Sequence, residues 1–293
     1  MTSATFLLPE GRRIGFARYG DLKGRPVFYC HGLPSSRLEA ELVAPVAQRL
    51  KLQLIALDRP GYGCSDPLPC GNIADWPYDL EQLADHLNFE CFSVLGVSGG
   101  GPYALACAWR LKARVERVGL VCALGPVIHA ELRCGMSLAA RWAFFLAQTA
   151  PWALPIFFGN LTARCLRSYP DFTFAWLVRH LPAKDRLTLA NPDTLKVLRA
   201  TVREGLRQGA QGVLRDLLHY VRPWGIELAA IEQPVTLWHG DADTVVPPAH
   251  SRFLVQRLPR AELRLLPGEG HYSLPAGHAQ AILQDVVPLK QTG

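Results

Sequence analysis

Runs of basic residues are missing from this 293-residue chain. Its net charge of +6 and isoelectric point near 9.0 would suit a phosphate-bearing partner. Yet no five basic residues are contiguous, and Arg12-Arg13 is the sole adjacent pair. Displacing counterions from nucleic acid takes clustered cations, so the scatter argues against nucleic acid as a partner. Also missing is an unbroken apolar stretch of the ~20 residues a helix needs to cross a bilayer. The nearest approach, Trp142 to Phe158, is interrupted by Gln148, Pro151 and Pro155. It reads as helix packed toward the core, with contact to a lipid surface the lesser expectation. Residues 1–9 lack a basic start and a long apolar run, so a soluble, cytoplasmic protein is expected.

The 8 cysteines include no C-x-x-C spacing. Cys30, Cys107 and Cys122 fall in apolar segments and read as reduced core residues; Cys64 and Cys70 share a loop in which they could pair. His86, His129 and His219 are too dispersed to suggest a metal site, and no cofactor is expected. Internal repeats and low-complexity tracts are absent.

What is present is a large apolar fraction, 49%, and a rhythm of short apolar runs alternating with helical patterns. Strands are predicted at Arg12–Tyr19, Val27–Cys30, Leu52–Leu57, Ser93–Val97, Val115–Cys122, Pro234–Trp238 and Glu262–Leu266. Helices are predicted at Ser36–Leu50, Ala74–Leu87, after Ser98, at Pro248–Leu258 and at Ala276–Val286. This alternation implies an α/β fold with a mostly parallel sheet, right-handed crossovers and helices on both faces. From Leu124 to Glu227 the rhythm stops, and the segment reads as helices broken by Pro151, Pro155, Pro170, Pro182 and Pro192. The expected organisation is a core of residues 1–123 and 228–293 with a helical cap, 124–227, inserted into it. Within the cap, Arg199, Arg203 and Arg207 recur at helical spacing and read as a solvated face.

The centre of this pattern is Gly96-Val97-Ser98-Gly99-Gly100, which fits G-x-S-x-G. Flanking glycines allow a sharp strand-to-helix corner that projects the serine hydroxyl beside a helix N-terminus. Serine is a weak nucleophile unless a base stands within hydrogen-bond reach and a carboxylate orients that base. Asp243, with Asp241 beside it, follows one late strand, and His271 follows the next. The order Ser, Asp, His is the one this corner implies. His278 lies inside a predicted helix and is the weaker base.

The chain resembles the α/β-hydrolase superfamily, most of all its capped members. Five motifs carry the likeness, at His31-Gly32-Leu33-Pro34, Asp58 to Ser65, Gly96 to Tyr103, His239 to Pro247 and Gly268 to His271. The resemblance implies Ser98 as nucleophile, His271 as base and then acid, and Asp243 rather than Asp241 as the orienting carboxylate. It also implies an oxyanion hole from the backbone N–H groups of Leu33 and Gly99. His31, Asp58 and Arg59 then read as structural and Tyr103 as core. The expected activity is hydrolysis of an ester, amide or thioester of an apolar small molecule. Other reactions on the same triad (C–C bond hydrolysis, peptide cleavage, acyl transfer) and a non-catalytic receptor of this fold stay open.

Overall fold

The computed structural model describes residues 2–68, 70–159, 164 and 178–287. Its strands are β1 Thr2–Leu7, β2 Arg13–Gly20, β3 Arg25–Cys30, β4 Leu52–Leu57, β5 Phe92–Val97, β6 Val115–Val121, β7 Val235–Gly240 and β8 Ala261–Leu266. They form one sheet in the order β1-β2-β4-β3-β5-β6-β7-β8. Every pairing from β4 to β8 is parallel, whereas β1 and β2 add an antiparallel edge.

The helices of the described residues are α1 Ala44–Arg49, α2 Trp76–His86, α3 Gly101–Arg110, α4 Leu138–Thr149, α5 Leu154–Phe158, α6 Ala183–Ala190, α7 Pro192–Gly205, α8 Gln211–Tyr220, α9 Ala249–Val255 and α10 Ser273–Asp285. Strands β4, β5 and β7 are buried along their whole length, because a parallel sheet covered on both faces leaves no polar side. Adjacent residues of one strand therefore feed opposite layers. Phe28 joins Phe92, Leu105 and Leu120 on one face, while Tyr29 joins Leu95, Trp238 and Leu283 on the other.

Several elements depart from expectation. Strand β1 was not foreseen: it is held by edge pairing to β2 and is almost wholly exposed, so it carries no burial pattern to read. β2 and β3 follow one another in sequence, but β4 lies between them. The helix expected at Ser36–Leu50 is a 3-10 stretch, Arg37–Val43, followed by α1 with a proline in its first turn. The last helix starts at Ser273, three residues early.

Between β6 and β7, the prolines start helices rather than break them. Pro151, Pro155 and Pro192 occupy first turns and Pro182 is an N-cap, positions where no intrahelical N–H is needed. Pro170 lies outside the described residues. Trp142 to Phe158 faces the core only in part: Ala143, Phe144, Ala147 and Leu154 are buried, whereas Trp142, Phe145, Trp152, Ile156 and Phe157 are exposed. Of the expected arginine face, Arg203 and Arg207 are exposed and Arg199 is half-buried. Cys30, Cys107 and Cys122 are buried free thiols, and Cys64 and Cys70 are both free. No helix of the described residues is long and apolar enough to cross a membrane.

Candidate active site

Strand β5 delivers Ser98 at its carboxyl end, with the left-handed backbone of a tight corner, φ +52°. Such a conformation costs a non-glycine residue of order 1 kcal/mol or more and persists only where the surroundings impose it. Here they do. A Cβ on Gly96 would stand 2.8 Å from the Ala104 methyl group, and one on Gly100 would collide with the Cys30 carbonyl at the end of β3. The Ser98 carbonyl accepts from the Leu124 N–H at 3.0 Å, and α3 starts at once behind the corner.

Loops after β7 and β8 bring the partners to the same edge. Ser98 Oγ lies 3.1 Å from His271 Nε2, and His271 Nδ1 lies 2.7 Å from Asp243 Oδ2. The second carboxylate oxygen of Asp243 accepts from the N–H groups of Val245 and Val246, at 2.8 and 2.9 Å. His239 braces that loop: its Nε2–H donates to the Val246 carbonyl at 2.7 Å, while Nδ1 receives the Ser251 hydroxyl at 2.7 Å. Asp241, the rival carboxylate, instead accepts from the Gly268 N–H at 2.6 Å. His278 lies 3.5 Å from Glu269.

Burial disfavours the Asp243 carboxylate, but the adjacent His271, its hydrogen bond and the loop amides outweigh that and hold the pKa below the usual range. Burial likewise opposes an imidazolium at His271. The negative charge and hydrogen bond of Asp243, with Asp185 and Glu39 further off, prevail and raise its pKa above 6.5. Cys122 joins Asp243 and His271 in a cluster with three ligand-type atoms close together. Burial pushes its thiol pKa far up, so this atom is a protonated core sulfur and the cluster is a poor metal cage. The other such group among the described residues, Asp58, Cys64 and Glu204, already has both carboxylates ion-paired to Arg37.

Leu33 and Gly99 are adjacent. A Cβ on Gly99 would come 3.0 Å from the Leu33 Cβ, and the Gly99 N–H belongs to the first turn after the corner, where no helical carbonyl precedes it. The loop carrying Leu33 is anchored from below. Arg59 donates to the His31 carbonyl and, at 3.0 Å, to that of Gly32. His31 Nε2 accepts from the Arg59 N–H at 3.2 Å. Asp58 accepts from the backbone and guanidinium of Arg37 at 2.7 and 2.6 Å. These residues brace the site, as the sequence implied for them.

Three residues outside the motifs complete the surroundings. Asp216, on α8, takes Arg59 at 2.7 Å, Tyr62 at 2.8 Å and also Tyr103; the single hydroxyl proton of Tyr220 is shared between the Gly99 carbonyl at 2.8 Å and Asp216 at 3.2 Å. Asp185, on α6, accepts from three successive N–H groups, His271 at 2.9 Å, Tyr272 at 2.9 Å and Ser273 at 2.8 Å. Glu39, after β3, accepts from the Gly32 N–H at 2.6 Å and the Ser35 hydroxyl at 3.0 Å. None of the three stands in a recognisable pattern. Only the Gly270 of G-x-G-H hints at Asp185, because a Cβ there would collide with that carboxylate.

Two chambers meet at Ser98 and share Leu33 and Pro34. One, of about 270 Å³, runs beneath α4 and α8 and is lined by apolar side chains such as Met136, Ala140, Phe144, Phe158 and Leu217. The other, of about 420 Å³, contains His271, Tyr272, Glu39, Ser35, Thr194 and Thr201. A half-buried hydroxyl, a base and an apolar recess thus share one edge of the sheet, an arrangement suited to acyl chemistry.

Comparison with known proteins agrees with this architecture. The chain is 26% identical over 235 residues to a pimeloyl-[acyl-carrier protein] methyl ester esterase of Nitrosomonas europaea, covering 78% of this chain and 81% of that one. It is 31% identical over 257 residues to a magnesium-chelatase 30 kDa subunit of Rhodobacter capsulatus, covering 86% and 82%. Among solved structures, an esterase from Exiguobacterium antarcticum superposes with a TM-score of 0.71 at 18% identity, over 97% of each chain. Residues 25–277 match the family described as alpha/beta hydrolase fold, and with the strand order, the corner at Ser98 and the loops that meet it already in place, the chain belongs to that family.

Proposed function

We propose that this protein is a serine hydrolase that cleaves carboxylic esters of apolar small molecules through an acyl-enzyme. The observation that carries the reading is the unbroken hydrogen-bond chain from Ser98 through His271 to Asp243 at the junction of two chambers. Ser98 Oγ attacks the carbonyl carbon while His271 Nε2 takes its proton. Asp243 stabilises the imidazolium and keeps Nδ1 protonated. The N–H groups of Leu33 and Gly99 receive the oxyanion, where removing one such donor typically costs ~10²–10³ in turnover. His271 returns its proton to the departing alkoxide, then activates the water that releases the acid.

In this reading the segment 124–227 is a cap, because α4 and α8 roof the apolar chamber. The ester preference draws on that chamber and on the esterase relatives. A fluorophosphonate should label the wild type and leave Ser98→Ala unlabelled, and p-nitrophenyl hexanoate turnover should disappear in the same variant. Labelling that survives the substitution would overturn Ser98 as nucleophile.

A further inference from the structure

The chamber holding His271 has a chemistry the first chamber lacks. His271 must hand its proton to the leaving group, so the alcohol half of the ester lies on the His271 side and the acyl half takes the apolar side. Lining that alcohol side is a carboxylate. Glu39 is half-buried, and one of its oxygens serves Gly32 and Ser35. Its other oxygen has no hydrogen bond among the described residues, and it would lie 3.3 Å from a Cβ on Gly32, whose next neighbour, at 3.5 Å, is the Ser98 Cβ. The free acceptor is therefore near the reacting hydroxyl.

Burial raises the Glu39 pKa, opposed by the Gly32 and Ser35 hydrogen bonds and by the more distant Arg59. A carboxylate facing an enclosed space with an unused lone pair is costly unless something donates to it. Thr194 and Thr201 extend the polar lining, but Thr201 is engaged with Ser35 and Ser36, at 3.0 and 2.9 Å.

We infer that Glu39 is a specificity-determining residue that receives a hydrogen-bond donor, a hydroxyl or an ammonium, on the alcohol portion of the ester. The inference rests on the serine-hydrolase reading. In the step concerned, the Ser98 Oγ–carbonyl bond forms and the carbonyl–alkoxide bond breaks. The proton taken from Ser98 passes from His271 to the alkoxide, while Glu39 holds the far end of the departing alcohol and gains or loses nothing.

Three hexanoate esters separate the possibilities: butyl, 3-hydroxypropyl as its near-isostere with a neutral donor, and 2-(dimethylamino)ethyl as a cationic donor. In the wild type, kcat/KM for one or both donor esters should exceed that for the butyl ester about tenfold, the ammonium ester leading if the charge is what is read. Glu39→Gln keeps an acceptor for Gly32 but removes the charge, and should collapse an ammonium preference toward unity. Glu39→Ala should collapse both preferences. A Glu39 that merely holds the Gly32 loop would lower all three rates together and leave the ratios untouched, overturning the inference. So would wild-type ratios near unity, a result that needs no variant to fold. Should the wild type label with fluorophosphonate and hydrolyse p-nitrophenyl hexanoate while those ratios are flat, the hydrolase stands and only the role of Glu39 falls; if neither signal is seen, both readings fall together.

Discussion

At the scale of single residues, the proposed mechanism makes the rate depend on the protonation of His271. Asp243 and the other nearby carboxylates raise its pKa above 6.5 against the opposing effect of burial. A general base must be neutral, so kcat/KM should fall on the acid side with a midpoint above 6.5 and level off at higher pH. Asp243→Asn removes the strongest raising influence and leaves burial opposed only by the weaker effects of Asp185 and Glu39. The midpoint should then move down in a pH–rate profile, with turnover lowered ~10⁴-fold as the wrong tautomer is populated. A midpoint that stays in place would show that another group titrates. Ser98, Asp243 and His271 were all legible in sequence because a strained corner and a base-orienting acid need particular residue types at strand ends. Glu39 was not, since a glutamate in a helical run usually faces water.

Elements decide whether those residues hold their positions. Helix α6 lies far from the motifs in sequence, yet Asp185 ties down three consecutive amides at the start of α10. Asp185→Ala would leave buried donors unpaired at ~1–3 kcal/mol each. The expected result is a stability loss on the order of 3 kcal/mol in urea denaturation, with a larger fall in kcat than in KM because His271 loosens. Asp185→Asn, which keeps one acceptor oxygen, should fall between. Unchanged stability and kcat in Asp185→Ala would deny the helix this role. The corner itself allows less: Gly100→Ala places a methyl group against the Cys30 carbonyl, so it should yield little folded protein, read by circular dichroism. The parallel strands were visible in sequence because burial on both faces makes them continuously apolar. β1 was not, because a mostly exposed edge strand is held chiefly by backbone pairing.

For the whole molecule, the controlling feature is how helices from the β6–β7 segment meet the sheet edge. The apolar chamber takes its shape from α4 and α8, so its length should set acyl preference. Ala140→Phe narrows it. Hexanoyl esters should then lose about tenfold or more in kcat/KM while acetyl esters change little, in line with ~1–3 kcal/mol per mismatched methylene in an apolar pocket. A chain-length series that is unchanged would place the acyl group elsewhere. The same segment supplies Asp216, whose bonds to Arg59, Tyr62 and Tyr103 tie α8 to the elements beneath the loop that carries Leu33. Asp216→Ala should cost ~3–5 kcal/mol, the penalty for leaving Arg59 buried without its counter-ion, measured as a lower urea midpoint.

The sequence by itself determined the alternation of strands and helices beyond β1 and the residue types at the corner and at the two later strand ends, because strand periodicity, turn geometry and nucleophile activation each demand local patterns. Only the tertiary structure decided that Asp185, Asp216 and Glu39 surround the same site, and that one chamber is lined mostly by apolar side chains while its neighbour carries a carboxylate. The helical carboxylates reach the site from segments distant in sequence, 157 residues apart for Asp216 and Arg59 and 86 for Asp185 and His271, and a contact of that kind leaves no periodic trace in either segment.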